Sequence, residues 1–131
     1  VMNEQDMRPN GIQLHARSRL LELTYGDGRS YQLSCEYLRV FSPSAEVKGH
    51  GPGQEILQSG KMHVGIEAIK PVGNYALQLV FDDGHDTGLY SWSYLHQLCV
   101  EQEPRWRDYL ARLAEAGASR DPDIQVVKLN L

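Results

Sequence analysis

An α+β fold, with an antiparallel sheet built from two similar hairpin-plus-helix units and helices packed on one side, follows from three features of the sequence. One pattern occurs twice, at Leu21–Leu38 and again at Leu77–Leu95. Each copy runs from a strand of alternating apolar residues through Asp-Gly to a returning strand and then a serine suited to start a helix. Behind the second copy, apolar spacing changes from every second residue to every third and fourth, which is helical.

Val1 to Asn10 are mostly polar, and residues 1–11 are expected to be a flexible amino terminus. Leu21, Leu23 and Tyr25 alternate with polar neighbours, as in a half-buried strand. Asp27-Gly28 supplies the turn, because glycine accepts positive φ and Asp nearly does. The return is Ser30–Leu33, and Ser34 is placed to cap a helical turn through Arg39. The stretch 42–53 holds Pro43, Pro52, Gly49, Gly51 and Gly53, and is read as a turn-rich loop with neither helix nor strand. Val64–Ile69 alternates weakly as a further strand, and Pro71–Asn74 turns into the second copy.

That copy repeats the design with Leu77, Leu79 and Phe81, the turn Asp83-Gly84, the return Thr87–Tyr90 and the cap Ser91. Val80 adds a second apolar face, which predicts a central strand. An isolated hairpin is barely stable, so the copies must support one another, and both fit within one sheet. Trp92, Leu95, His96, Leu98 and Cys99 then form a helical stripe. Pro104 suits the first turn of a second helix whose expected inner face is Trp106, Leu110, Leu113 and Ala114, with an Asp108–Arg112 pair outside and Gly117 as its stop. The domain is taken as residues 12–117 and the tail as 118–131, with weak strand character at Ile124–Leu129.

The chain has 131 residues, enough for one self-supporting core. Its net charge of -4 argues against a nucleic-acid surface. All of that charge lies in residues 66–131, which hold 6 Lys+Arg against 10 Asp+Glu; residues 1–65 hold 7 of each. No apolar run is long enough for a membrane span, and none follows a basic amino terminus, so a cytoplasmic location without membrane contact is expected. Cys35 and Cys99 lack zinc-site spacing and are expected to be reduced, buried and inert.

Catalytic and nucleotide motifs fail. Gly60-Lys61 is followed by Met62, with Glu at position 55, so no phosphate loop forms. No histidine is followed two residues later by Asp, which removes half of an iron facial triad. Among the histidines, His85 lies beside Asp82, Asp83 and Asp86, and His50 lies between Gly49 and Gly51 where a backbone can approach a ligand closely.

The stretch Leu38–Gly53, followed by Pro71–Leu77 and Phe81–Trp92, resembles DUF971, a bacterial family of unknown function related to the N-terminal domain of gamma-butyrobetaine hydroxylase. The resemblance spans roughly residues 12 to 100. It implies a domain that, in the hydroxylase, carries a structural zinc on three cysteines and one histidine. Those positions correspond here to Ser42, Ser44, Val47 and His85, so one ligand of the set is kept and the fold is expected without its zinc. Related domains fused to iron–sulfur scaffold proteins imply a link to iron metabolism.

The leading reading is a non-catalytic accessory or protein-binding module, with no cofactor expected. Its surface would comprise Arg39, Ser42, Glu46, Lys48, His50, Gly51 and Gly53 with the turn at Asp83 and His85. The alternative is a metal-binding domain holding iron or zinc through His85 and His50, with Asp82, Asp83 or Asp86 as oxygen donors. A stand-alone enzyme would require a pocket lined by Arg39, His50 and His85.

Overall fold

Local sequence sets the strand edges and helix starts of the molecule, of which a computed structural model describes residues 7–124. The elements are β1 (Gly11–His15), β2 (Leu20–Thr24), β3 (Ser30–Ser34), α1 (Cys35–Val40), α2 (Ala45–Lys48), β4 (Ile66–Val72), β5 (Ala76–Phe81), β6 (Leu89–Ser91), α3 (Trp92–Val100) and α4 (Gln102–Ala116). The α+β class is thus observed, with a helical C-terminal segment. The two hairpins do not share one sheet. β1-β2-β3 and β4-β5-β6 are separate antiparallel sheets, each a hairpin extended by the strand that precedes it. The repeated unit is therefore three strands and a helix. β1 went unseen in the sequence, where Gly11–His15 offers only Ile12 and Leu14 as apolar positions.

Both Asp-Gly turns place glycine at positive φ, 86° at Gly28 and 88° at Gly84. Ser34 and Ser91 cap their helices in nearly identical extended conformations, accepting from the N–H of Tyr37 and of Tyr94. The two tyrosines, 57 positions apart, make reciprocal contacts. Tyr37 donates its hydroxyl to the Leu98 carbonyl at 2.7 Å, and Tyr94 donates to Phe41 at 2.6 Å, where Phe41 and Leu98 are also 57 positions apart. The units are stitched together by a hydrogen bond and its counterpart.

Between the sheets and helices lies one large apolar cluster drawing Leu21, Leu23 and Leu33 from the first unit and Leu77, Leu79 and Phe81 from the second. β5 is the central strand of its sheet, as Val80 implied. Cys35 and Cys99 are buried free thiols, and burial pushes Cys99 up to about 11. The inner face of α4 is turned from the expected one: Tyr109 and Leu113 are buried, whereas Leu110 is 38% exposed and Ala114 is exposed. Tyr109 prevails because its hydroxyl reaches the Gln58 carbonyl at 2.8 Å while its ring lies against Trp106 and Phe41. Asp108–Arg112 pair at 3.6 Å, and Gly117 ends the helix in a left-handed conformation.

Contacts with the core reach beyond residues 12–117 at both ends. Met7 packs on the core, Pro9 is buried, and the Asn10 N–H donates to Thr24. At the other end, the N–H groups of Gly60 and Met62 donate to the carbonyls of Ser119 and Arg120, and the Arg120 guanidinium grips the buried Glu36 carboxylate at 2.7 and 2.8 Å. The remainder of the expected loose amino terminus, residues 1–6, and nearly all of the weak strand at Ile124–Leu129 lie outside the described residues. No helix among the described residues is long and apolar enough to cross a membrane.

Candidate functional site

Glycines and serines between α1 and β4 create two neighbouring features, a buried polar corner and an open groove. The stretch 42–53 is not wholly irregular: Ser44 caps the four-residue helix α2 and accepts from the Glu46 N–H. Ser44-Ala45-Glu46, a cap with an acid in the first turn, is the sequence signal for it. Gly49 ends α2 at φ 70°, and a Cβ there would run into the Gln54 carbonyl, so the residue is required to be glycine.

The corner joins this segment to the second Asp-Gly turn. Ser42, 1% exposed, and His85, 5% exposed, meet with Oγ and Nε2 2.8 Å apart. The other ring nitrogen, Nδ1, faces the Glu46 carboxylate at 3.1 Å. A carboxylate can only accept, so Nδ1 carries the proton and Nε2 accepts the Ser42 hydroxyl. Ser42 Oγ in turn accepts the Ser44 N–H at 3.2 Å, and the Ser44 and Thr87 hydroxyls pair at 2.7 Å. Gly88 permits this closeness, since a Cβ there would stand 2.5 Å from Ser42 Oγ. Burial and the Arg39 charge lower the His85 pKa against the opposing pull of Glu46 and Asp83, so the ring is neutral at pH 7 and its contact with Glu46 is a hydrogen bond rather than an ion pair.

Arg39 also differs from its expected role as an exposed contact, whereas Asp83 stays exposed on its turn. Arg39 is 7% exposed, with Nε 2.9 Å from the Asp83 carboxylate and Nη1 on Gln58. Burial raises the Asp83 pKa, but Lys61, Arg39 and the His85 N–H outweigh it and hold the carboxyl at about 2. Arg39, Ser42, Asp83 and His85 therefore tie segments together. Glu46, Lys48, His50, Gly53 and Asp83 are the predicted site residues left at the surface, and Gly51 is half-buried.

The groove lies beside the corner, about 1080 Å³ in volume, between the 47–58 segment, the end of α1, and helices α3 and α4. Its walls include Val40, Phe41, Val47, Leu57, Tyr94 and Tyr109. Ile56 stands at it 54% exposed. Cations lie on its aromatic faces: Lys48 Nζ is 4.9 Å from the Tyr94 ring centre, and Arg105 is 5.4 Å from that of Phe41. Sequence reasoning reached Lys48, His50 and Gly51 but missed Ile56, Tyr94 and Arg105, whose convergence depends on the α3–α4 arrangement.

A family model described as gamma-butyrobetaine hydroxylase-like, N-terminal, matches residues 12–96. The chain belongs to this family. A protein whose structure was determined by NMR in solution is 56% identical, with 94% of this chain and 97% of that one covered and a TM-score of 0.78. A second NMR structure is 51% identical over the whole of both chains, with a TM-score of 0.75. A crystal structure at 1.93 Å of a DUF971 protein of unknown function from Acidithiobacillus ferrooxidans is 38% identical, covering 73% of this chain and 97% of that one, with a TM-score of 0.61. No curated protein matches the chain.

The zinc that the gamma-butyrobetaine hydroxylase-like resemblance implies does not fit the donors present. At the corner the corresponding positions offer two neutral hydroxyls, a valine and one imidazole, and thiolates are what a tetrahedral structural zinc requires. Among the described residues no group of three His, Cys, Asp or Glu side chains is placed to hold a metal.

Proposed function

We propose that the chain is a non-catalytic accessory module that binds another protein through the groove between the 47–58 segment and helices α3 and α4. The observation that carries this reading is the groove itself: about 1080 Å³, walled by apolar and aromatic side chains, with Ile56 54% exposed at its side. An exposed apolar side chain beside a concave, aromatic-walled groove with a charged rim supports a protein contact there. The family resemblance suggests a partner from iron or iron–sulfur metabolism.

The corner supports a structural rather than a catalytic role. Its Ser42–His85–Glu46 order is that of a hydroxyl, imidazole and carboxylate relay. A nucleophile needs a free face for attack, however. Ser42 is 1% exposed, accepts the Ser44 N–H and abuts Gly88.

A photo-crosslinking side chain placed at position 56 tests the proposal against the same group at Tyr75, which is 51% exposed on the β4–β5 turn. The expected result is a discrete adduct from position 56 alone. The captured protein, repurified, should bind the wild type and lose most of its affinity for Ile56→Asp. Equal capture from both positions, or unchanged binding by Ile56→Asp, would rule the groove out.

A further inference from the structure

The corner has lost the thiolate donors of the family's zinc but keeps the posture of the one ligand left, His85. Its Nδ1 proton lies on the Glu46 carboxylate at 3.1 Å, and the Nε2 lone pair turns inward, 2.8 Å from Ser42 Oγ. A histidine that ligates a metal is oriented in the same way, with its second ring nitrogen donating to a carboxylate. Ser42, Ser44 and Val47, the other positions of the zinc set, are buried beside it in the sequence segment that the corner joins. Here the lone pair takes the Ser42 proton. The Ser44 hydroxyl pairs with Thr87 at 2.7 Å and accepts the Glu46 N–H at the start of α2. These contacts join residues 42–46 to the turn at 85–87, and α2 passes the constraint on. Its Val47 carbonyl accepts the Ile56 N–H at 2.8 Å, and Val47 and Lys48 line the groove together with Ile56.

We propose that this hydrogen-bonded clasp does the cross-linking that a metal ion would do at the same four positions, setting α2 and with it Ile56 at the groove. The corner is thus a latent metal site, closed by hydroxyls and reopened by thiolates at positions 42, 44 and 47. The clasp stands apart from whatever the groove binds, since every contact in it lies within the chain. The adjustment asked of the fold is small. Tetrahedral zinc holds sulfur and nitrogen ligands about 3.5 Å apart, less than an ångström beyond the 2.8 Å between Ser42 Oγ and His85 Nε2.

Hydrogen exchange on variants of the intact chain tests this. The N–H groups of Ile56 and Gly49, bonded to the Val47 and Ala45 carbonyls, report on α2, and those of β2 report on the core. Ser42→Ala leaves the His85 lone pair and the Ser44 N–H without their partner. Exchange at Ile56 and Gly49 should rise roughly fivefold to a hundredfold, the range for one buried polar group left unpaired, with little change in β2. Thr87→Val, at an exposed position, should speed the same two amides. The chain carrying Ser42→Cys, Ser44→Cys and Val47→Cys should bind zinc in equimolar amount, and cobalt(II) in its place should show thiolate charge-transfer absorption. Without metal this chain should exchange as fast as Ser42→Ala. Zinc should return Ile56 and Gly49 to wild-type protection, while zinc added to the wild type changes neither. Unchanged exchange in both Ser42→Ala and Thr87→Val, or a rise of equal size in β2, would overturn the clasp. A cysteine chain that takes up no zinc, stays unfolded with it, or binds it without restoring Ile56 would overturn the equivalence with a metal site.

Discussion

Protonation of His85 works against folding. Its pKa lies below the ordinary 6.5 because burial and Arg39 disfavour the charged ring, and Glu46 and Asp83 only partly offset them. As pH falls through about 6.5 the unfolded chain takes up this proton before the folded one, so stability declines; above that pH the residue contributes no slope. His85→Asn, which cannot bind the proton, should therefore have a shallower loss of stability between pH 7.5 and 5.5, measured by urea denaturation. A slope identical to wild type would refute the assignment of a neutral buried ring. The same corner predicts indifference to metal. Hydroxyl, imidazole and carboxylate groups satisfy one another there, so a chelator should leave the melting temperature unchanged, whereas a chain folded around zinc would lose stability outright. Residue patterns alone hid much of this corner; the family resemblance is what grouped Ser42, Ser44 and His85. His85 reads as a hairpin tip among aspartates, and its burial depends on Ser42, 43 positions earlier.

Elements were legible where their signals are local. Asp-Gly turns and serine caps each depend on a few adjacent residues, and both pairs fall where expected. β1 and α2 were lost for opposite reasons: the strand is identified by its pairing with β2, and the short helix was masked by surrounding glycine and proline. The duplication makes a sharper claim at this scale. Tyr37 and Tyr94 occupy equivalent positions and give their hydroxyls to equivalent carbonyls, Leu98 and Phe41. Tyr37→Phe and Tyr94→Phe should each cost about 1 kcal/mol, the net value of one such bond. The two losses should agree within about 0.5 kcal/mol in denaturant titrations, the usual spread for one such bond. A difference of several-fold would show that the units resemble each other in shape but not in energetics.

For the whole molecule, the decisive contacts join distant parts of the chain. Residues 119–120 bond to 60 and 62 through the backbone, while the Arg120 guanidinium spans from Glu36 on α1 to the Trp106 ring on α4, 5.1 Å away. This strap fixes the segment that includes Gln58, itself held by Tyr109 and Arg39, and so fixes one wall of the groove. Sequence could not reveal it, because a lone arginine beyond Gly117 looks like part of a solvated tail. Arg120→Ala strands the Glu36 carboxylate, whose side chain is 6% exposed. Arg120 itself is 36% exposed, so the cost should lie somewhat below that of breaking a fully buried pair, at about 2–3 kcal/mol. Adding Glu36→Gln removes the stranded charge and should recover part of that loss, a coupling that a double-mutant cycle measures directly. Hydrogen exchange should rise first at the N–H groups of Gly60 and Met62, ahead of β2 and β5. If Arg120→Ala costs under about 0.5 kcal/mol, as an ordinary surface substitution would, the strap is ornamental and the groove wall stands on Tyr109 and Arg39 alone.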